Sequence, residues 1–135
     1  YIGIWYLTNV TNMKYMFAGC SNFDQDIGNW NVSNVTNMTN MFAGCSNFDQ
    51  DIGNWNVSNV SEIKYMFCKC STFNQNIENW DVSNVINMNG IFENCNINII
   101  EILQKHNSNI FKWDLNNKIV HNYIYSDDDS DDVNV

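Results

Sequence analysis

The 135-residue chain has no proline, no arginine and only six lysines, against 15 acidic residues. Its formal net charge of −9 leaves no cluster of cations that could bind phosphates, so we do not expect it to bind nucleic acid. No stretch approaches the roughly 18 consecutive apolar residues of a membrane-spanning helix, and we predict no membrane span. Two histidines, and none of the common catalytic or nucleotide-binding motifs, give no basis for an enzyme. We therefore predict no catalytic residues, no cofactor and no metal site.

What the sequence does contain is a repeat of 25 residues. The segment 18–35 recurs letter for letter at 43–60, and tryptophan, cysteine and phenylalanine each recur at the same spacing. A period of this length is typical of leucine-rich repeats and too short for repeats made of helix pairs. Eight tryptophans and cysteines are expected to form a structural ladder in the core: Trp5, Trp30, Trp55, Trp80, Cys20, Cys45, Cys70 and Cys95.

Two apolar spacings alternate within one repeat. Apolar residues between Val35 and Cys45 are three or four apart, as on one face of a helix. Trp30 and Val32 are two apart, as in a strand. We predict an α/β repeat solenoid that is leucine-rich-repeat-like, with one short strand and one short helix in each coil. An asparagine at constant phase, such as Asn34, is expected to form hydrogen bonds along the stack.

The domain organisation follows from where the period is lost. We predict a repeat solenoid over 1–96 with about four coils, the first incomplete, so that the chain is a fragment or a processed product. Residues 97–125 are predicted to be a C-terminal cap, with an amphipathic helix at 97–106. Residues 126–135 contain five aspartates and are predicted to be a disordered acidic tail.

The repeat unit NWNVSNVTNMTNMFAGCSNFDQDIG, with its core N-W-[ND]-V-S-N-V-x-x-M-x-x-[MI]-F, resembles a known repeat. It is similar to the repeat of BspA-like leucine-rich-repeat surface proteins and to that of mycoplasma lipoproteins, and the similarity extends from Trp5 to Cys95. The resemblance implies a non-enzymatic protein for surface display, adhesion or host interaction, at the cell surface or secreted, with a protein or glycan partner.

A second role is also open. The family also occurs in protists and large DNA viruses with AT-rich genomes, and 27 asparagines without proline or arginine indicate such a genome. The alternative is an intracellular or virion structural scaffold of a protist or giant virus, in the virion or the host cytoplasm.

Superposing Ile27, Trp30 and Val32 on the strand of a leucine-rich repeat predicts which residues face outward. Concave sheet faces are where such repeats usually bind partners. The predicted binding residues are Asn29, Asn31, Ser33, Asn54, Asn56, Ser58, Asn79, Asp81 and Ser83. The alternative is a solvated polar face without a partner.

The cysteines and the acidic residues each allow two interpretations. We favour buried free thiols over disulfides between neighbouring coils, and we expect Cys68, which lies outside the cysteine column, to be partly exposed. Asp24 and Asp26 resemble part of a calcium loop, but a solvated acidic edge is the favoured interpretation. An open first coil also predicts end-to-end self-association.

Overall fold

The computed structural model describes residues 2–96. Within this range the backbone forms turns and single-residue bridges, with no helix and no extended strand. Parallel bridges join Asn12 to Asn37, Asn37 to Glu62, and Glu62 to Asn87. Because each bridge joins positions 25 residues apart, successive repeats lie on one another in parallel and in the same register. We refer to 2–26, 27–51, 52–76 and 77–96 as the first to fourth repeats.

The predicted solenoid with one strand and one helix per coil is wrong for the described residues. In the second repeat, the segment predicted to be helical directs alternate backbone N–H groups to the third repeat instead of to its own preceding turn. The N–H of Met38 donates to the carbonyl of Glu62 at 2.8 Å, and that of Phe42 donates to Met66 at 2.9 Å. The predicted strand is replaced by two turns, closed by bonds from Trp30 to Ile27 and from Val35 to Val32.

These inter-repeat bonds form a regular ladder along the stack. In each of the first three repeats, four alternate N–H groups donate to carbonyls of the next repeat, at 2.7 to 3.1 Å. The residues between them close short turns within their own repeat, as Met41 does with Met38 at 3.1 Å. The ladder therefore satisfies the backbone without helical bonds, as buried polar groups require.

Left-handed backbone geometry is what prevents a helix in this segment. Asn40 and Gly44 have φ of 56° and 79°, whereas an α-helix needs negative φ throughout. Their equivalents in the other repeats also have positive φ, between 55° and 77°. The two left-handed columns are Tyr15, Asn40, Tyr65 and Gly90, and Gly19, Gly44, Lys69 and Asn94. Glycine and asparagine tolerate this conformation best and occupy five of these eight positions.

The core is built of stacked columns of like residues. Trp30, Trp55 and Trp80 are 4%, 3% and 3% exposed, and neighbouring indole rings along this column stack with centroids 6.4 Å apart. The phenylalanines at constant phase stack similarly, with Phe42 and Phe67 5.7 Å apart. One continuous apolar cluster therefore runs through all four repeats. The predicted C-terminal cap at 97–125 and acidic tail at 126–135 lie outside the described residues.

Candidate binding surface

The nine predicted binding residues lie on the outside of the stack, but on turns and not on a sheet. Asn29 and Asn31 are exposed and Ser33 is half-buried, and turns include Asn29 and Ser33. The equivalent residues of the third and fourth repeats are aligned with them along the stack. The prediction of a concave sheet face is therefore wrong, because no strand forms there. The nine residues are nevertheless aligned in three columns along the stack.

Hydrogen bonds separate these residues into two kinds. Asn31 Oδ1 accepts from the backbone N–H of Ser33 at 3.1 Å and from its hydroxyl at 2.6 Å, and Asn56 does the same with Ser58. In the fourth repeat, hydrogen bonds from the Ser83 hydroxyl and amide lower the pKa of the Asp81 carboxyl. These residues fix a turn, as short polar side chains commonly do.

The other kind makes no hydrogen bond to the protein. The side-chain amides of Asn29, Asn54 and Asn79 are exposed and have no partner within residues 2–96. The NH₂ groups of Asn31 and Asn56 are likewise unused, since only their oxygens accept bonds. Repeats two to four therefore present outward-facing amides at regular intervals. We call this set, Asn29, Asn31, Asn54, Asn56 and Asn79, the amide columns.

A neighbouring asparagine column has a structural role. The NH₂ groups of Asn59 and Asn84 donate to the carbonyls of Ser33 and Ser58 in the preceding repeat, at 2.7 and 2.6 Å. Hydrogen bonding along the stack was expected for this column, and it goes from amide to backbone rather than from amide to amide. These hydrogen bonds hold successive repeats together.

The cysteine column has the same structural role. The thiols of Cys45, Cys70 and Cys95 donate to carbonyls of Phe17, Phe42 and Phe67, at 3.1, 3.0 and 2.8 Å. All five cysteines are free. Cys68 is fully buried, so the expectation of partial exposure is wrong.

Burial also determines the chemistry of these thiols. It raises the pKa of Cys45, Cys68 and Cys95 to about 12, and that of Cys70 still further. Because the thiolate is the nucleophile and the metal ligand, these groups are chemically inert at neutral pH.

The acidic residues are engaged with the backbone. Asp24 Oδ1 accepts from the N–H of Asp49 and from the side chain of Gln50, both at 3.0 Å. Asp26 accepts from the N–H of Gly28 in its own turn, at 3.0 Å. Among the described residues, no group of three or more histidines, cysteines or acidic residues could hold a metal ion.

Comparison with known protein families gives a match over most of the chain. The family described as Mycoplasma protein of unknown function, DUF285, matches residues 1–104 of the 135. The chain belongs to this family. The match supports the similarity to mycoplasma repeat proteins that the repeat motif indicates, and it does not extend to BspA-like proteins. No curated protein and no solved structure matches the chain.

The structure of this family member adds residues that sequence reasoning missed. Ile4 and Tyr6 in the first repeat are 70% and 97% exposed. Trp5 and Cys20 were expected in the core and are exposed instead, Trp5 to 49%, so the prediction of a buried ladder is wrong for these two residues. Comparison of columns could have found Ile4 and Tyr6, because they stand where later repeats carry Asn29 and Asn31. Residues 2–96 contain no helix that could span a membrane.

Proposed function

We propose that this chain is a non-enzymatic surface or secreted protein that binds a partner through the amide columns, in adhesion or host interaction. The observation that carries this proposal is the set of exposed amides on Asn29, Asn54 and Asn79, which repeat with the backbone register and have no partner in the protein. Each side-chain amide has two N–H donors and one carbonyl acceptor, and the stack presents such an amide once in each repeat.

The chemistry of the other side chains supports a binding role over catalysis. The column thiols are protonated and donate to carbonyls, and Asp24 and Asp26 accept backbone N–H groups. Both histidines, His106 and His121, lie outside the described residues. The Ser83 hydroxyl donates to the Asp81 carboxylate, and this pair closes a turn as the Asn–Ser pairs of the earlier repeats do.

The polar character of the surface favours a protein partner over a glycan. In repeats two to four the amide columns contain no aromatic ring on which a sugar could stack, because the rings of Trp30, Trp55 and Trp80 are 3% to 4% exposed. Amide side chains pair well with peptide groups, which present the complementary donor and acceptor. Contacts repeated along one partner add through avidity rather than through one strong site.

A second role is favoured by a specific observation. The column places one cysteine in each repeat, yet all five cysteines are free thiols. Three of them donate a hydrogen bond to a backbone carbonyl. Free thiols are more common in reducing compartments than outside the cell. This supports an intracellular or virion structural scaffold, in which the amide columns would contact another scaffold protein.

The proposal is tested by binding of the labelled full chain to intact cultured epithelial cells. In one variant Asn29→Ala and Asn54→Ala remove two amides from the proposed surface. In the control, Asn22→Ala and Asn47→Ala remove two exposed amides from a different column, in the first and second repeats, where Asn47 donates to Asn22 at 3.4 Å. We expect weaker binding for the first pair and unchanged binding for the control pair.

Treating the epithelial cells with protease or with glycosidases identifies the partner class. Binding that is lost only after protease treatment supports the protein partner, and loss after glycosidase treatment alone favours a glycan. Equal binding by the wild type and by both variants would overturn the role of the amide columns.

A further inference from the structure

Each repeat presents two exposed side chains, one on either side of a tryptophan. In the third repeat these are Asn54 and Asn56, which flank the buried Trp55. This repeat has a neighbour on each side in the stack, so stacking does not cover the two positions. We call the two sets of positions the paired columns and each pair a row. From the first repeat to the fourth, the rows are Ile4 and Tyr6, Asn29 and Asn31, Asn54 and Asn56, and Asn79 and Asp81.

The two members of a polar row have complementary hydrogen-bonding groups. Asn29 has both its NH₂ and its carbonyl oxygen unpaired within residues 2–96. The oxygen of Asn31 already accepts from Ser33, so its NH₂ is the group that remains available. An amide such as that of Asn31 can therefore donate to one such as that of Asn29. In the fourth row the Asp81 carboxylate replaces the second amide, and Asn79 supplies a donor for its remaining lone pairs.

The first row is largely apolar and is exposed like the others. Ile4 and Tyr6 are 70% and 97% exposed, at positions where the other rows have polar side chains. Adjacent exposed apolar groups mark interaction sites, because covering them removes apolar surface from water. A surface that fits all four rows needs apolar groups opposite the first, amides opposite the next two, and a donor and an acceptor opposite the fourth. The paired columns of a second copy of this chain meet each of these requirements.

We propose that the paired columns of two copies of this chain pack face to face around a two-fold axis parallel to the stack. The first column of one copy then lies against the second column of the other. Ile4 contacts Tyr6 of the second copy, and the Asn79 amide donates to Asp81 of the second copy. Because repeats follow one another in the same register in both copies, every row meets its counterpart. The contact is isologous, so it closes at a dimer.

The fourth row decides the orientation of the two copies. In an antiparallel pair the first row of one copy would meet the fourth row of the other, and the Asp81 carboxylate would lie against Ile4 and Tyr6. Placing a charge against apolar groups costs free energy, because the charge loses contact with water. The parallel pair avoids this cost and gives Asp81 a donor. Two columns over four rows make a small contact, so we expect a weak dimer that dissociates on dilution.

The inference rests on the proposed function, because it takes the amide columns as the binding surface and assigns a second copy of the chain to them. A partner on a cell would have to displace that copy, so binding to epithelial cells by each chain should decrease as the dimer forms. The two proposals fail separately. A monomeric chain can still bind cells through the amide columns, and a dimer can form from a chain that binds no cell.

Sedimentation equilibrium of the full chain over a wide range of concentration is the first test. The wild type is expected to change from monomer to dimer as concentration rises. Asn54→Asp with Asn56→Asp sets two carboxylates of one copy against two of the other. We expect this variant to raise the dissociation constant about tenfold or more, because like charges repel across the contact. Aspartate at 56 can still close its turn, as Asp81 does in the fourth repeat.

Two further variants of the third repeat are the controls. Asn54→Lys with Asn56→Asp sets opposite charges against each other across the same contact, and its dimer should be at least as strong as that of the wild type. Asn74→Asp with Asn76→Asp adds the same two negative charges outside the paired columns. Both of these positions are exposed, and the earlier repeats have aspartates there. This variant should leave the dissociation constant unchanged.

Disulfide trapping tests the orientation, in a background with Cys20→Ser. The single variants Ile4→Cys and Tyr6→Cys are mixed and oxidised with diamide, which takes up the two protons and two electrons that the thiols lose. Mass spectrometry should find a 4–6 crosslink between copies. A mixture of Ile4→Cys with Asn79→Cys should give no crosslink between copies, since these rows lie at different heights in the parallel pair.

Three results would overturn the proposal. A chain that remains monomeric at every concentration has no such contact. Equal dissociation constants for the wild type and for Asn54→Asp with Asn56→Asp would show that the copies meet through another surface. A 4–79 crosslink in place of the 4–6 product would show that the two stacks are antiparallel.

Discussion

Replacing Trp55 with alanine should be among the most destabilising single changes in this chain. The indole is 3% exposed, stacks between Trp30 and Trp80 with centroids 6.4 Å away on each side, and donates its N–H to Ile27 at 3.0 Å. Truncation of a buried aromatic to alanine costs about 3–5 kcal/mol, and the two lost ring contacts favour the upper part of that range. We therefore expect the free energy of unfolding to fall by about 4–5 kcal/mol.

Urea denaturation followed by fluorescence and circular dichroism measures this loss. Trp55→Phe keeps a ring in the stack but loses the N–H donor, so we expect a smaller loss of about 1–2 kcal/mol. Trp5→Ala, in the half-exposed member of the same column, should also cost about 1–2 kcal/mol. An unchanged urea midpoint for Trp55→Ala, or equal losses for Trp55→Ala and Trp5→Ala, would refute the buried column.

Four further predictions concern the backbone and the thiols. Lys69→Gly should raise the free energy of unfolding by about 1 kcal/mol, because Lys69 has a φ of 60° in a column where Gly19 and Gly44 stand; a lower urea midpoint would contradict this. Gly90→Ala should lower the free energy of unfolding by about 3 kcal/mol, because the added methyl group would both meet the Tyr65 ring and strain the backbone. Gly44→Ala adds only the backbone strain and should cost about 1–2 kcal/mol. Equal losses in urea denaturation would contradict the ring contact. In the folded protein at pH 8, iodoacetamide should modify the exposed Cys20 and spare Cys45 and Cys68, as peptide mass spectrometry would show. Because burial raises the pKa of those two thiols from 9.0 to about 12, unfolding releases their protons above pH 9, and their contribution to stability should decline between pH 9 and 12.

The period and the core columns could be predicted from the sequence, and the local backbone could not. A tryptophan, a phenylalanine and a cysteine every 25 residues must stack when repeats do, whatever secondary structure lies between them. The apolar spacing from Val35 to Cys45 fits a helix, and it fits equally well a series of turns that point the same residues inward. Glycine at 19, 44 and 90 was the available signal for left-handed positions, but Tyr15, Tyr65 and Lys69 occupy the same columns and obscure it.

The candidate site was predictable in part for a similar reason. Alternation around Trp30 placed Asn29 and Asn31 outside, and turns place them outside too. Their different uses depend on hydrogen bonds that spacing does not reveal, although the Asn-x-Ser pattern at Asn31 and Ser33 is typical of a side chain that closes its own turn. Finding the exposed apolar residues Ile4 and Tyr6 needed a comparison of columns together with the exposure of each side chain.

Protease treatment of intact native cells tests whether the repeats are displayed with their outer face accessible. We expect peptides from the repeats to be released without lysis and to be identified by mass spectrometry. Alkylation before digestion would show in the same experiment which cysteines are free in the native protein. Complete protection of the chain until the cells are lysed would contradict surface display and would favour the internal scaffold.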